Sequence, residues 1–182
     1  MKFTATEVPD VVVIEPVMHG AERGFFIETW RENLYKDAGI EASFVQDNHS
    51  RSSFGALRGL HYQVNKPQGK LVRVIHGEVF DVAVDLRQSS STFGQWVGDV
   101  LSADNRKMMW VPPGFAHGFL VLSEVAEFTY RCTDYYAPEH ERTLCWSDAD
   151  VAIDWPLNAG QEPLLSDKDS NGASLKDAET YA

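Results

Sequence analysis

The chain is patterned as a series of short apolar runs, most of them four to eight residues long. VVVI at Val11–Ile14 comes first and GFFIE at Gly24–Glu28 follows. SFVQDNHS, LRGLHYQ, KLVRVIHG and EVFDVAVDLR then arrive in quick succession, and GQWVGDVLS, KMMWVPPG, AHGFLVLS and VAEFTYRCT continue the series. In EVFDVAVDLR, Val79, Val82, Val84 and Leu86 alternate with acidic neighbours, with one slip at Phe80 and Asp81. Alternation of this kind predicts half-buried strands. One helix is signalled, from about Arg31 to Ala38. Thr29 and Glu32 have the spacing of a capping box, and Gly39 stands where a helix C-terminus favours glycine.

Turn signals separate the runs: Lys66-Pro67-Gln68-Gly69, Gln88 to Ser91, and Pro112-Pro113-Gly114. Many short strands at this spacing predict an all-β sandwich or barrel, with a jelly roll the form that fits best, and not alternating βαβ units. After Trp155 the chain turns irregular, with Pro156, Gly160 and Pro163, and SNGASLKDAETYA at its end reads as a short helix or a frayed tail. We read one domain over residues 1–182, with a peripheral tail from about 170. No repeat or low-complexity tract interrupts it.

Composition narrows the function. At 182 residues and 43% hydrophobic, one sizeable core can form. Sixteen Lys and Arg against 27 Asp and Glu give a net charge of −11, which disfavours a nucleic-acid or anionic-membrane binder. One anionic ligand in a local basic pocket remains compatible with that balance. Cys132 and Cys145 are too few for a disulfide framework or a four-thiolate metal site, and are expected to be free thiols. The start, MKFTATEVPD, lacks the apolar run of a signal peptide, and no stretch approaches the ~20 apolar residues of a membrane span. A cytoplasmic protein is the expectation.

The candidate chemistry gathers at histidines. Gly55 precedes His61 by six positions, Gly77 closes the next hairpin, and Pro112-x-Gly114-x-x-His117 comes later. These fragments resemble the two motifs of the cupins, a superfamily of small jelly rolls. In metal-binding cupins the first motif supplies two histidines and a glutamate, and the second supplies one more histidine. Here the partner of His61 is Gln63, and the acidic slot holds Lys70. An ammonium cannot ligate a divalent ion, and an amide is a poor ligand for a transition metal. The expectation is a cupin pocket without metal. His49 and His76 read as packing or surface residues, and His19 and His140 fall in predicted loops.

Arg58, Lys70 and Arg73 lie near His61 in sequence, with Arg23 earlier in GAERGFF. In so acidic a chain, Arg58 and Lys70 on successive strands beside a histidine imply an anionic ligand or a developing oxyanion. Arg73 reads as a solvated strand residue. Tyr130, Tyr135 and Tyr136 form an aromatic cluster in EFTYRCTDYY. A strand tyrosine is usually core. One facing a pocket offers a proton donor, and one at its rim offers a stacking face.

Taken together, GAERGFFIE, FVQDNHS, LRGLHYQ, QGKLVRVIHGEVFDVAVDLR, TFGQWVG, PPGFAHGF, EFTYRCTDYYAPEHE and PLLSDKD resemble the dTDP-4-dehydrorhamnose 3,5-epimerases in order and spacing, from about Pro9 to Asp169. The resemblance implies a thymidine-diphosphate-linked 4-keto-6-deoxy sugar as substrate, inverted at C3 and C5. It implies His61 as general base oriented by Asp169, Lys70 at the enolate oxygen, Tyr130 as general acid, and Tyr136 stacked on the thymine. It places Arg23, Glu28, Gln46, Asp47, Asn48, Arg58, His117, Glu141 and Lys168 among the contacts to sugar, diphosphate and nucleoside. It further implies a homodimer whose early strands cross to the partner, so that Arg23 and Glu28 serve the neighbour's site. Epimerisation beside a ketone changes no oxidation state, so no cofactor is expected, in keeping with the absence of a GxGxxG segment. The competing readings are a 3-epimerase, 5-epimerase or 3,4-ketoisomerase on the same scaffold, a metal-dependent cupin oxygenase, and a binding-only cupin.

Overall fold

A computed structural model describes residues 1–182, Ala21 by its backbone alone. In chain order the strands are β1 (Lys2–Ala5), β2 (Val12–Glu15), β3 (Met18–Ala21), β4 (Gly24–Ile27), β5 (Gln46–Ser53), β6 (Leu57–Gln63) and β7 (Lys70–His76). They continue with β8 (Glu78–Asp85), β9 (Trp96–Ser102), β10 (Met108–Val111), β11 (Phe115–Val121), β12 (Val125–Cys132) and β13 (Glu141–Thr143). Two short helices, α1 (Glu32–Asp37) and α2 (Asp167–Ser170), complete the chain. A six-stranded sheet has the order β1-β2-β10-β7-β12-β5 and a five-stranded sheet the order β13-β6-β11-β8-β9. The strand pairs are antiparallel and the two sheets face one another as a sandwich, the all-β jelly-roll class that the pattern predicts.

Three apolar layers hold the sandwich. Between the sheets lie Val72, Val74, Val79, Ala83, Val111, Phe115, Phe119 and Phe128. Outside the five-stranded sheet, Leu57, Leu60, Val82, Val84, Leu86 and Leu120 pack against Val151 and Trp155 of the irregular C-terminal region. Outside the six-stranded sheet, Ile14, Leu71, Met108 and Trp110 pack against Tyr35 of α1 and Ile40. Strands β8 and β11 are therefore buried on both faces. That explains the slip in EVFDVAVDLR: Val79 and Ala83 point to the inner core, Val82 and Val84 to the outer layer, and Asp81 shares the inner face with Val79.

Helix α1 forms where expected but without a capping box. Its N-cap is Arg31, which makes no side-chain cap bond, and the Thr29 carbonyl instead accepts from the Tyr35 hydroxyl at 2.8 Å. Gly39 does end the helix, with φ +84°. His19, placed in a loop by sequence, lies in β3. The tail is not frayed: Tyr181 N–H donates to the Leu86 carbonyl at 3.0 Å and its hydroxyl to the Gln63 carbonyl at 2.7 Å. Strands β3 and β4 form a separate two-stranded hairpin on which Phe25 and Phe26 are 59% and 67% exposed. Among the described residues no helix is long and apolar enough to cross a membrane.

Candidate active site

One cleft between the sheets, with a volume of about 320 Å³, brings most of the candidate residues together. The five-stranded sheet supplies Arg58 and His61 from β6, His117 and Phe119 from β11, and Glu141 from β13. The six-stranded sheet supplies Gln46, Asn48 and Ser50 from β5, Lys70 from β7, and Phe128 and Tyr130 from β12. Gln68, Tyr136 and Lys168 line the cleft from outside the strands, Lys168 on α2. Arg58 and Lys70, on strands consecutive in sequence, thus reach the cleft from opposite walls.

Backbone geometry explains the histidine wall. His61 and His117 are direct register partners on β6 and β11, and the register shifts between His117 and Phe119. The two strands touch at Gly59 and Gly118. A Cβ on Gly59 would stand 2.5 Å from the Gly118 Cα, and Gly59 has φ +131°. Only glycine permits both that approach and that conformation.

His61 Nε2 lies 2.6 Å from Asp169 Oδ1. Asp169 is held in turn by α2, where Ser166 caps the helix by accepting from the Asp169 N–H at 3.2 Å. The Ser166 hydroxyl donates back to Asp169 Oδ2 at 2.6 Å, and the Gly59 N–H donates to Oδ1 at 3.2 Å. Burial raises the Asp169 pKa, but these bonds from His61, Ser166 and Gly59 outweigh it and hold the carboxyl well below its usual range. Burial lowers the His61 pKa, against the hydrogen bond to Asp169. With Nε2–H donated to a carboxylate, the other ring nitrogen, Nδ1, keeps its lone pair and is the basic atom.

Lys70 is buried, its Nζ donating to the His61 carbonyl at 3.2 Å, and burial pushes its pKa down. Burial raises the pKa of Tyr130, so its phenol keeps its proton. No hydrogen bond among the described residues ties the Tyr130 hydroxyl, and Tyr130 lines the cleft from the sheet opposite His61. His117 has a carboxylate of its own, with Nε2 2.9 and 3.1 Å from the two oxygens of Asp81. At the mouth, the Tyr136 hydroxyl donates to Glu141 at 2.9 Å and Lys168 Nζ donates to the other Glu141 oxygen at 2.9 Å. A base on one wall, a phenol on the other and a lysine beside the base can remove a carbon-bound proton from one face of a ligand and deliver a different proton to the other.

Three candidates lie elsewhere. Asp47 falls between Gln46 and Asn48, so strand alternation turns it to the outer face of β5, 3.7 Å from Arg131. Arg23 sits at the turn of the β3–β4 hairpin, and Glu28 follows it, paired with Arg31 at 3.1 Å. Neither lines this cleft in the single chain. Gln63 also points away, into the loops. Sequence reasoning missed Ser50, which a two-residue step from Gln46 and Asn48 would have found. It read Gln68 only as part of a turn, and passed over Phe119 and Phe128 as core. It also missed Asp81, whose signal was the break in alternation.

The comparisons agree with this architecture. The sequence model of the dTDP-4-dehydrorhamnose 3,5-epimerase family matches residues 5–177. A dTDP-4-dehydrorhamnose 3,5-epimerase of Pseudomonas aeruginosa is 57% identical over 182 residues, covering 100% of this chain and 99% of its own. One from Shigella flexneri is 53% identical over 183 residues, covering 100% and 99%. The crystal structure of a Legionella pneumophila dTDP-6-deoxy-D-glucose-3,5-epimerase, in complex with dTDP-4-keto-L-rhamnose, superposes with a TM-score of 0.94 at 51% identity, covering 98% of this chain and 94% of that one. By matches that run nearly end to end, the chain belongs to the dTDP-4-dehydrorhamnose 3,5-epimerase family.

Proposed function

We propose that this chain inverts C3 and C5 of dTDP-4-dehydro-6-deoxy-D-glucose to give dTDP-4-dehydro-L-rhamnose, by enolate chemistry with His61 as base and Tyr130 as acid. The observation that carries the reading is their placement on opposite walls of one cleft, with Lys70 beside the base. The C4 ketone makes the protons on C3 and C5 acidic. His61 Nδ1 takes one of them, the C–H electron pair becomes the enolate, and negative charge develops on the C4 oxygen. Lys70 steadies that oxygen, a role whose loss typically costs ~10²–10³-fold. The Tyr130 phenol then gives a proton to the opposite face, the configuration inverts, and solvent takes the proton from His61 and reprotonates the phenolate before the second carbon reacts.

The mouth suits a nucleoside diphosphate. Arg58 and Lys168 offer charge to the diphosphate, and the half-exposed Tyr136 ring offers a face to the base. Gln46, Asn48, His117 and Glu141 complete the polar lining. Lys70 and the turned-away Gln63 stand where a metal cupin has ligands, so turnover in a chelator should equal turnover without it. The exposed Phe25 and Phe26 hairpin fits a homodimer in which Arg23 and Glu28 reach the partner's cleft. A light-scattering mass near the 20.4 kDa of one chain at micromolar concentration would overturn that assembly.

The decisive experiment is proton NMR of the 4-keto sugar nucleotide in deuterated water, following C3 and C5 separately. The protein should exchange and invert both carbons. Tyr130→Phe keeps the ring and deletes the donor, so it should exchange protons for deuterium while forming little inverted product. Near-normal inversion by that variant would remove Tyr130 as the acid, and exchange at one carbon alone would make the protein a monoepimerase.

A further inference from the structure

The loop from Thr133 to Ala137 carries Tyr136 to the cleft mouth without belonging to a helix or a strand. Its backbone is nonetheless held almost group by group: Gly69, Asp134 and His140 take the Thr133 N–H, the Tyr135 N–H and the Ala137 carbonyl, and glutamine side chains hold four other groups. Gln68 Nε2 donates to the Asp134 carbonyl at 2.8 Å. Gln63 Nε2 donates to the Tyr135 carbonyl at 3.3 Å. The Tyr136 N–H donates to Gln46 Oε1 at 2.9 Å, and the Ala137 N–H donates to Gln63 Oε1 at 2.8 Å. Gln63 is the centre of this clamp. Its Nε2 also donates to the Lys66 carbonyl at 2.8 Å, tying in the preceding turn, and its own carbonyl accepts from the Tyr181 hydroxyl at 2.7 Å.

Of the three amides, Gln46 and Gln68 line the cleft and can meet a ligand themselves. Gln63 is only 3% exposed and lines no part of it. Both ends of its amide are committed to loop backbone on either side of Tyr136. An amide suits this place because it supplies a donor and an acceptor at once. A carboxylate would set negative charge against two carbonyl oxygens, and a neutral imidazole, with one donor and one acceptor, could not make all three bonds. The residue standing in the slot of a metal-cupin histidine has therefore acquired a different use.

We propose that Gln63 is a positioning residue for nucleotide recognition: by clamping the 133–137 loop it fixes the Tyr136 ring at the cleft mouth, where a pyrimidine base stacks. The proposal rests on the reading of Tyr136 as the base-stacking residue. It makes affinity for the nucleoside diphosphate depend on a side chain that never touches the ligand. The reacting carbons lie deeper, between His61 and Tyr130, so the chemical step should be insensitive to the clamp once the cleft is saturated.

The test is a double-mutant cycle on the full chain, with thymidine diphosphate as the calorimetric probe. Gln63→Met keeps the shape and removes the hydrogen bonds of the side chain. It should weaken binding roughly tenfold, the equivalent of about one net hydrogen bond. KM for the sugar nucleotide should rise similarly while kcat stays within about twofold. Tyr136→Ala should weaken binding at least as much, and adding Gln63→Met to it should cost little more, because the clamp acts through that ring. If Tyr136→Ala binds like the parent, the stacking reading fails. If Tyr136→Ala weakens binding but Gln63→Met does not, or if the two losses add in full, the clamp fails. An equal fall in kcat with no change in KM would also overturn it. Should Gln63→Met not fold, Gln63→Asn keeps a neutral amide that is one methylene too short to reach both sides of the loop, and the same cycle applies.

Discussion

Two histidines occupy paired positions on adjoining strands, and each has an aspartate at its Nε2, yet the two pairs are built differently. Asp169 accepts from Ser166 and the Gly59 N–H besides His61. Asp81 is 0% exposed and its carboxylate has no hydrogen-bond donor but His117 among the described residues. The consequence shows in opposite shifts. Burial raises both carboxyls, but the extra donors bring Asp169 well below its usual value, while Asp81 stays above its own despite His117 and Lys70. A firmly ionised Asp169 holds the His61 tautomer that leaves Nδ1 basic. Asp81, which yields its proton less readily, is the weaker support for a neighbouring base. The depth of burial and the number of donors around a carboxylate, and not the presence of a His–Asp contact, separate the proposed base from its twin.

The largest effect should come from the proposed base, His61. His61→Asn keeps much of the ring's shape and cannot accept a proton as imidazole does. Exchange of substrate protons with deuterated water should fall by ~10²–10⁴-fold at both carbons, with thymidine diphosphate still bound. If His117→Asn abolished exchange and His61→Asn did not, the assignment of the two pairs would be reversed.

Next is Asp169→Asn, which offers His61 an amide in place of a carboxylate and frees it to take the wrong tautomer. We expect kcat to fall on the order of 10²-fold or more, by analogy with the loss of an orienting aspartate in a Ser-His-Asp triad. Asp81→Asn should cost clearly less, because the histidine it orients, His117, is not the group proposed to take the substrate proton. Equal losses for the two variants, measured side by side under saturating substrate, would erase the distinction drawn from their donors.

The two histidines were legible in the sequence, but the asymmetry between their aspartates was not, and for a definite cause. His61, Lys70 and His117 stood out because histidine and lysine on apolar strands need a reason to be there, whereas Tyr130 took its role only from the resemblance. The jelly-roll class followed from short alternating runs and their turns. The positions of Asp47, Arg23 and Glu28 were legible only through the resemblance. It carries residues over one at a time and is blind to the alternation that turns Asp47 out of the cleft. Asp81 was hidden because β8 is buried on both faces, so its inward carboxylate looked like an irregularity in a one-faced pattern. The glutamine clamp was out of reach, since side chains that hold loop backbone leave no periodic trace.

The smallest expected effect is a difference of sign in how pH acts on stability. The Asp169 carboxyl is shifted down from 3.8, so folding favours its ionised form. Its contribution is fully present above the unfolded value and is lost as pH falls through the folded one. The Asp81 carboxyl is shifted up from 3.8, so folding favours its protonated form. Its contribution is greatest in acid and diminishes as pH rises from the unfolded value towards the folded one. Each pKa unit of difference is worth about 1.4 kcal/mol. Urea unfolding of the parent, Asp169→Asn and Asp81→Asn between about pH 3 and pH 8 measures both terms. The gap between parent and Asp169→Asn should widen as pH rises, approaching the ~1.5–3 kcal/mol of hydrogen bonds to a charged group. The gap between parent and Asp81→Asn should narrow over the same range, because the amide never bears the buried charge. Gaps that move in the same direction would mean that the donors around Asp169 do not set the two pairs apart.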